Sequence, residues 1–390
     1  MKKIYKYILV LLAGMHVSCE KQPINPSEEI ELIPEAGYIN FSTGVVTKAP
    51  IIEDMKDKSF GVFGYEYGFS TDWGTARALA EPNLCYNLRV DCADNGLCSY
   101  DASSFTKYGT KLMPWELSKK YSFFAYYPMT DAENDPISLS KATDKNMPKV
   151  TYSLPISNSE EVDPDNLLDL MTAYSTDMTA GRGMVGFKFQ HRLYCIEVLS
   201  QNFNTEHQIV NSDNSVTSYD ADEYISNLTV TIDNLKYQSI TVPMQKGDAL
   251  TDTTATLNRN GAVRFRLLTE DQEIKVASLD ENAGAVSLSG PSGDKLLMLI
   301  PQDAKETAMT GHISLTLKDE NEKITYYDLP NNDDTVETET HKKVIPFKTN
   351  FNLMEGKKYT ITINFTGETI VVAWGVAGDW VGHSVKYEFE

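Results

Sequence analysis

Apolar residues recur at every second position along almost the whole of this chain. Positions i and i+2 share one face of a β-strand, whereas a helix needs a period near 3.6. Gly37 to Ser42 (GYINFS) reads as a first strand, and Ser59 to Tyr67 (SFGVFGYEY) as a second, rich in aromatics. Tyr121 to Tyr127 (YSFFAYY) is apolar on both faces, as a central strand between packed layers should be, and Pro128 stops it. Phe187 to Leu199 alternates well at its start. Later strands are expected at Ile225 to Ile232, Val263 to Leu268, Lys295 to Ile300, Ile313 to Leu317, Tyr359 to Phe365 and Thr369 to Trp374. Gly, Asn, Asp, Ser and Pro turns separate them at short spacing. The helical signal amounts to a turn or two near Asp165 to Met171. The pattern predicts an all-β chain built of sandwiches.

The N-terminus reads as a targeting segment and is set aside before the fold is considered. Lys2, Lys3 and Lys6 make a basic start, and Ile8 to Ala13 form an apolar run too short to span a bilayer as a helix. Val17-Ser18-Cys19 then resembles a bacterial lipobox, with His16 standing where an aliphatic residue is usual. The resemblance implies lipidation at Cys19; plain secretion with cleavage nearby is the alternative. The expected organisation is a signal peptide at 1–18, a Pro-rich acidic tether at 19–36, and two β-sandwich domains at 37–185 and 186–390.

Removing the signal's three lysines takes the formal charge of the chain from −20 to −23. Such acidity disfavours nucleic acid and anionic lipid surfaces as partners, because both repel a polyanion. A chain of 390 residues buries enough apolar surface to fold without metals or disulfides. Beyond Cys19, four cysteines remain. Cys85, Cys92 and Cys98 crowd one stretch and Cys195 stands alone. Four cysteines allow three connectivities; Cys92 with Cys98 closes the easiest local loop, and buried free thiols are the other reading.

No constellation supports an enzyme, a cofactor or a metal. Gly181 to Gly186 matches GxGxxG, but a strand-like segment follows where a phosphate-binding loop needs a helix, so it reads as a turn. Gly290 to Lys295 has the wrong spacing for a phosphate loop. The six histidines are scattered, and His191, within a strand, reads as a structural imidazole. Asp163, Asp165 and Asp169, or Asp91 and Asp94, are weighed as calcium ligands, yet neither set follows a calcium-loop spacing. Most aromatics are expected in the core, with exposed ones such as Trp73 weighed as contacts to a glycan or partner.

Several segments, in order along the chain, resemble the fimbrillin (Mfa-like) family, lipoprotein precursors of type V pili in Gram-negative gut and oral bacteria. They are Ile39-Asn40-Phe41 followed by Thr47-Lys48-Ala49; Phe60 to Phe63; Trp115 with Tyr121 to Pro128; and Asp169-Leu170-Met171. Phe189 to Leu193 matches FxHxL, Leu297 to Gln302 is an apolar run ending in PQ, and Gly356 to Tyr359 opens a C-terminal strand. The resemblance implies two transthyretin-like β-sandwich domains and a cell-surface or outer-membrane subunit of a pilus. Its implied partners are other pilus subunits, the outer membrane through the lipid anchor, and a host or bacterial surface receptor. It also implies proteolytic removal of the N-terminal strand, whose place a strand of another subunit then takes.

Lys48 is the expected cleavage site, as the first basic residue after the Gly37 to Ser42 strand, within a segment 44–58 that reads as an extended polar loop. Lys stands where the family shows Arg and Pro50 lies close, so Lys56 and Lys58 are the alternatives. At the C-terminus Val385, Tyr387 and Phe389 alternate with Lys386, Glu388 and Glu390, giving one apolar and one charged face. That segment reads either as the replacement strand or as an ordinary final strand of its own domain. A different class of function, a monomeric surface lipoprotein that binds glycans, is the alternative to the pilus subunit.

Overall fold

The computed structural model describes residues 37–45, 55–93, 97–101, 107–108, 112–130, 136–156, 161–181, 183–201, 206–210, 216–220, 223–245, 253–258, 261–276, 285–290, 295–302, 308–319, 342–349, 351–366, 369–379 and 385–386. Ten strands come from the first half of the chain. They are β1 (Phe41–Val45), β2 (Ser59–Gly68), β3 (Cys85–Cys92), β4 (Leu97–Tyr100), β5 (Lys119–Tyr127), β6 (Ile137–Leu139), β7 (Lys149–Ser153), β8 (Glu161–Val162), β9 (Met171–Thr179) and β10 (Val185–His191). Seven of them close into a barrel in the order β1-β10-β9-β5-β2-β3-β4, with β4 returning to β1.

Alternation explains the barrel interior. Val185, Phe187 and Phe189 of β10 point inward with Gly186 and Lys188 outside. β5 is buried on both faces, as its composition requires. Tyr121, Phe123 and Ala125 enter the barrel core, while Phe124 and Tyr126 join a second core shared with Trp73, Val150 and Tyr152. Tyr127, at the end of the strand, is only half-buried, packed against the barrel core. Gly61 is paired with Tyr126, and a Cβ there would run into that ring and the side chain of Asn87. Close approach of the two strands therefore demands glycine.

The segment 136–162 leaves the barrel between β5 and β9. Its strands complete sheets made by the second half of the chain, β7 pairing antiparallel with β15 (Tyr237–Pro243) and β8 parallel with β17 (Val263–Arg266). The remaining strands are β11 (Tyr194–Gln201), β12 (Glu206–Val210), β13 (Val216–Asp220), β14 (Glu223–Ile232), β16 (Thr254–Leu257), β18 (Ile274–Val276), β19 (Val286–Ser287), β20 (Leu297–Leu299), β21 (Met309–Asp319), β22 (Lys342–Thr349), β23 (Lys357–Thr366), β24 (Thr369–Asp379) and β25 (Val385–Lys386). One six-stranded sheet runs β19-β11-β23-β24-β25 with β20 also on β11; another runs β22-β21-β14-β17-β8 with β18 on β14. Ile196, Val198, Ile361 and Trp374 of the first meet Val230, Ile313, Ile345 and Phe347 of the second in one core.

The stretch Phe187 to Leu199, continuous in sequence, is thus two strands. β10 is hydrogen-bonded to β1 and β9 in the barrel, and after Arg192 and Leu193 the chain enters the second unit as β11. The helical signal near Asp165 resolves as a 3₁₀ turn, Pro164–Asn166, followed by extended chain. A four-residue helix, α1 (Trp73–Ala76), lies elsewhere, its first turn capped by Asp72, whose carboxylate accepts from the Thr75 N–H at 2.8 Å. No helix among the described residues is long and apolar enough to cross a membrane.

Candidate functional site

β1 closes the barrel between two walls. On one side it runs parallel to β10, from Phe41 opposite Val185 to Val45 opposite Phe189. On the other it runs antiparallel to β4 for two residues, Phe41 opposite Cys98 and Ser42 opposite Leu97. The strand therefore begins later and extends further than the GYINFS run suggests; Tyr38 contributes only an isolated bridge to Pro114. Residues 44 and 45, expected in a loop, belong to β1, and Met55, at the other end of that expected loop, is buried.

Two inward side chains anchor β1. Ile39, just before the strand, and Phe41 are both 0% exposed, while Asn40 between them and Ser42 after them are half-exposed. The Phe41 ring stacks on Phe187 at 5.6 Å and meets Phe123 and Tyr100 edge-on at 5.5 and 5.7 Å. Phe60 extends the cluster to Phe187 and Phe189. The approach to β1 is held by main-chain bonds. Ile39 N–H donates to the Met113 carbonyl at 2.8 Å, Trp115 N–H to the Gly37 carbonyl at 2.9 Å, and Val185 N–H to the Asn40 carbonyl at 2.8 Å. Tyr100 hydroxyl donates to the Ile39 carbonyl at 3.0 Å and accepts from Met113 N–H at 3.2 Å. Burial pushes this phenol up to about 12, so it remains a donor at neutral pH.

Burying two large apolar side chains contributes roughly 1.5–3 kcal/mol each. Vacating the β1 position thus exposes an apolar groove together with two rows of unpaired backbone groups on β4 and β10. Both favour a replacement strand. Tyr100 and Met113 are the groove residues that sequence reasoning missed. Nothing in their local pattern signals them, since they reach Ile39 only through the barrel's closure.

The disulfide joins Cys92 to Cys98 across the β3–β4 hairpin, beside β1, with Thr43 Oγ1 at 3.9 and 3.8 Å from the two sulfurs. Cys85 and Cys195 are buried free thiols whose pKa values burial raises, which makes them poor nucleophiles. Cys19 and Lys48 lie outside the described residues, as do Tyr387 and Phe389. Val385 and Lys386 form β25, antiparallel to β24 opposite Val376 and Gly375.

The other residues weighed from sequence fall into structural roles. Asp163 and Asp165 hold the Lys295 ammonium, at 3.6 and 3.0 Å, where a calcium ion would have to sit. Asp169 is engaged apart from them, bonded at 2.8 Å to His191 Nδ1 in a buried pair. Asp91 binds Arg89, and Asp94 lies outside the described residues. Gly181 and Gly183 take positive φ in the turn between β9 and β10, and a strand follows, as a turn requires and a phosphate loop does not. Trp73 is 3% exposed, packed against Tyr65 and Phe124 at 4.9 Å each, which removes it as a surface contact. Its backbone N–H and the Tyr67 hydroxyl both donate to Asp177, whose own φ is positive.

The sequence model described as fimbrillin-like matches residues 47–380. No curated protein sequence matches the chain. Among solved structures, it is similar to a fimbrial protein from Bacteroides vulgatus at 18% identity, over 88% of this chain and 99% of that one, with a TM-score of 0.56. A fimbrial assembly protein from Parabacteroides distasonis aligns at 10% identity over 90% and 98% of the two chains, with a TM-score of 0.36.

Proposed function

Because the chain belongs to the fimbrillin-like family, we propose that it is a non-enzymatic structural and adhesive subunit of a cell-surface pilus. In this reading it is exported to the outer membrane as a lipoprotein anchored at Cys19 and cut after Lys48. A strand of another subunit then takes the place of β1. The observation that carries the reading is the seating of β1. It comes from the segment just upstream of Lys48, yet it fills the seam of a barrel whose other six strands follow that residue. After a cut, β1 is held by noncovalent contacts alone and becomes exchangeable.

The segment best suited to replace it is the C-terminus. Val385, Tyr387 and Phe389 alternate with charged residues as Ile39 and Phe41 alternate with Asn40 and Ser42. An aliphatic and an aromatic residue two positions apart suit the two buried positions of the groove. The finer architecture proposed is two transthyretin-like units joined at Arg192 and Leu193. The glycan-binding alternative drew on exposed aromatics, and the burial of Trp73 weakens it.

The test is assembly after cleavage. Chain treated with a trypsin-like protease should give a polymer ladder on unboiled gels, and mass spectrometry should place the new N-terminus at residue 49. Deleting residues 384–390 should leave a folded monomer that no longer polymerises. An unfolded product, or polymers formed as before, sinks the donor role.

A further inference from the structure

The direction of β1 matters as much as its contacts. Since β1 and β10 are parallel, the N-terminal end of the strand in the groove lies at the end of β10 far from β11. The opposite end of β10 continues through Arg192 and Leu193 into the second unit. A pull on the N-terminal end of the seated strand and a pull on the second unit therefore act oppositely along one axis. Ladder hydrogen bonds run across the strands, so such a pull strains all the pairs from Phe41 to Val45 together. Pulling both strands from the same end would instead open the pairs one at a time.

The surroundings of the groove reinforce that axis. Phe41 would have to be dragged past Phe123, Phe187 and Tyr100. The β4 wall is cross-linked to β3 at Cys98, the residue opposite Phe41. The link to the second unit is itself pinned, with Arg192 N–H donating to the Leu170 carbonyl at 2.8 Å and Gly356 N–H to the Leu193 carbonyl at 2.7 Å. The Arg192 guanidinium, 4% exposed, adds an ion pair with Glu355 at 3.6 Å.

We propose that the β1 position is a mechanical joint, which holds a strand of a second copy of this chain against tension when that strand runs parallel to β10. The proposal rests on the strand-replacement reading and adds an orientation and a mechanical role to it. Parallel seating also puts the donor's body at the end of the groove away from the acceptor's second unit, so the two lie head to tail. Antiparallel seating would bring both bodies to the same end and load the ladder in its weak direction.

Single-molecule force spectroscopy on the full, uncut chain tests this without any polymer. In one arrangement the handles sit upstream of Gly37 and after Glu390; in the other, the first handle is a peptide tag inserted at position 50. Barrel rupture is identified by its release of the chain between β1 and β6, about 300 Å at ~3.4 Å per residue while β6, β7 and β8 stay paired in the second unit, and of the whole chain between β1 and β10, about 500 Å, where that unit has already opened. The expected rupture force is at least about twofold higher in the first arrangement, since forced opening reads the unfolding barrier along the pulled direction. Equal forces, or a higher force in the second, overturn the proposal. Anisotropy in a chain that never polymerises would keep the load-bearing seat of β1 but overturn its occupation by a second copy, and with it the pilus reading; polymers from a chain without anisotropy would keep strand replacement and overturn the mechanical role.

Discussion

Replacing Phe41 with alanine probes the groove while changing no backbone bond. Phe41 is wholly buried among three aromatic rings, so truncation removes its apolar transfer energy and leaves a cavity walled by Tyr100, Phe123 and Phe187. Buried Phe→Ala changes cost about 3–5 kcal/mol, and the rigid rings around this site leave little room for collapse. For a barrel of this size such a loss lowers the melting temperature by roughly 6–20 °C. The control is Ser42→Ala, next in sequence but half-exposed, whose effect should stay within ~0.5 kcal/mol. Urea unfolding of the uncut chain, followed by near-ultraviolet circular dichroism, measures both. A loss below ~1 kcal/mol for Phe41→Ala, or equal losses for the two variants, would refute the argument that β1 is anchored by its inward aromatic side chain.

Three other outcomes are expected. Phe124→Ala, on the outer face of β5 against Trp73 and Tyr65, should cost roughly 3–5 kcal/mol; a change within ~0.5 kcal/mol would place that face in solvent. Converting Cys92 and Cys98 together to serine should cost about 2 kcal/mol in the same unfolding assay, the value for so short a closed loop. A Cys19→Ala chain should lose incorporation of radiolabelled palmitate, and unchanged labelling would end the lipoprotein assignment.

Much of the strand inventory was legible in the residues, because alternation is a local consequence of the pleat. Each expected strand overlaps an observed one, shifted at the ends, except that Phe187 to Leu199 covers two, and the glycines at 181 and 183 marked their turn. The burial of β5 on both faces was readable for the same reason. The burial of Trp73 was not, since α1 is four residues long and shows no periodicity; the tryptophan is held by Tyr65 and Phe124 from distant strands. The engagement of Asp163 and Asp165 was equally hidden, because their partner Lys295 comes from the other half of the chain.

The sequence by itself determined the all-β class, the approximate places of the strands and the amphipathic character of the terminal segments. Tertiary structure alone decided which strand lies beside which. Alternation states that a face is apolar and says nothing of its neighbour, so the parallel pairing of β1 with β10, from opposite ends of the barrel's sequence, left no local trace. The same holds for β7 and β8, which leave the barrel to pair with β15 and β17. It holds also for the cysteines, where spacing allowed several pairings and the β3–β4 register put Cys92 opposite Cys98. The groove exists only because the chain closes on itself, and its direction follows from that closure.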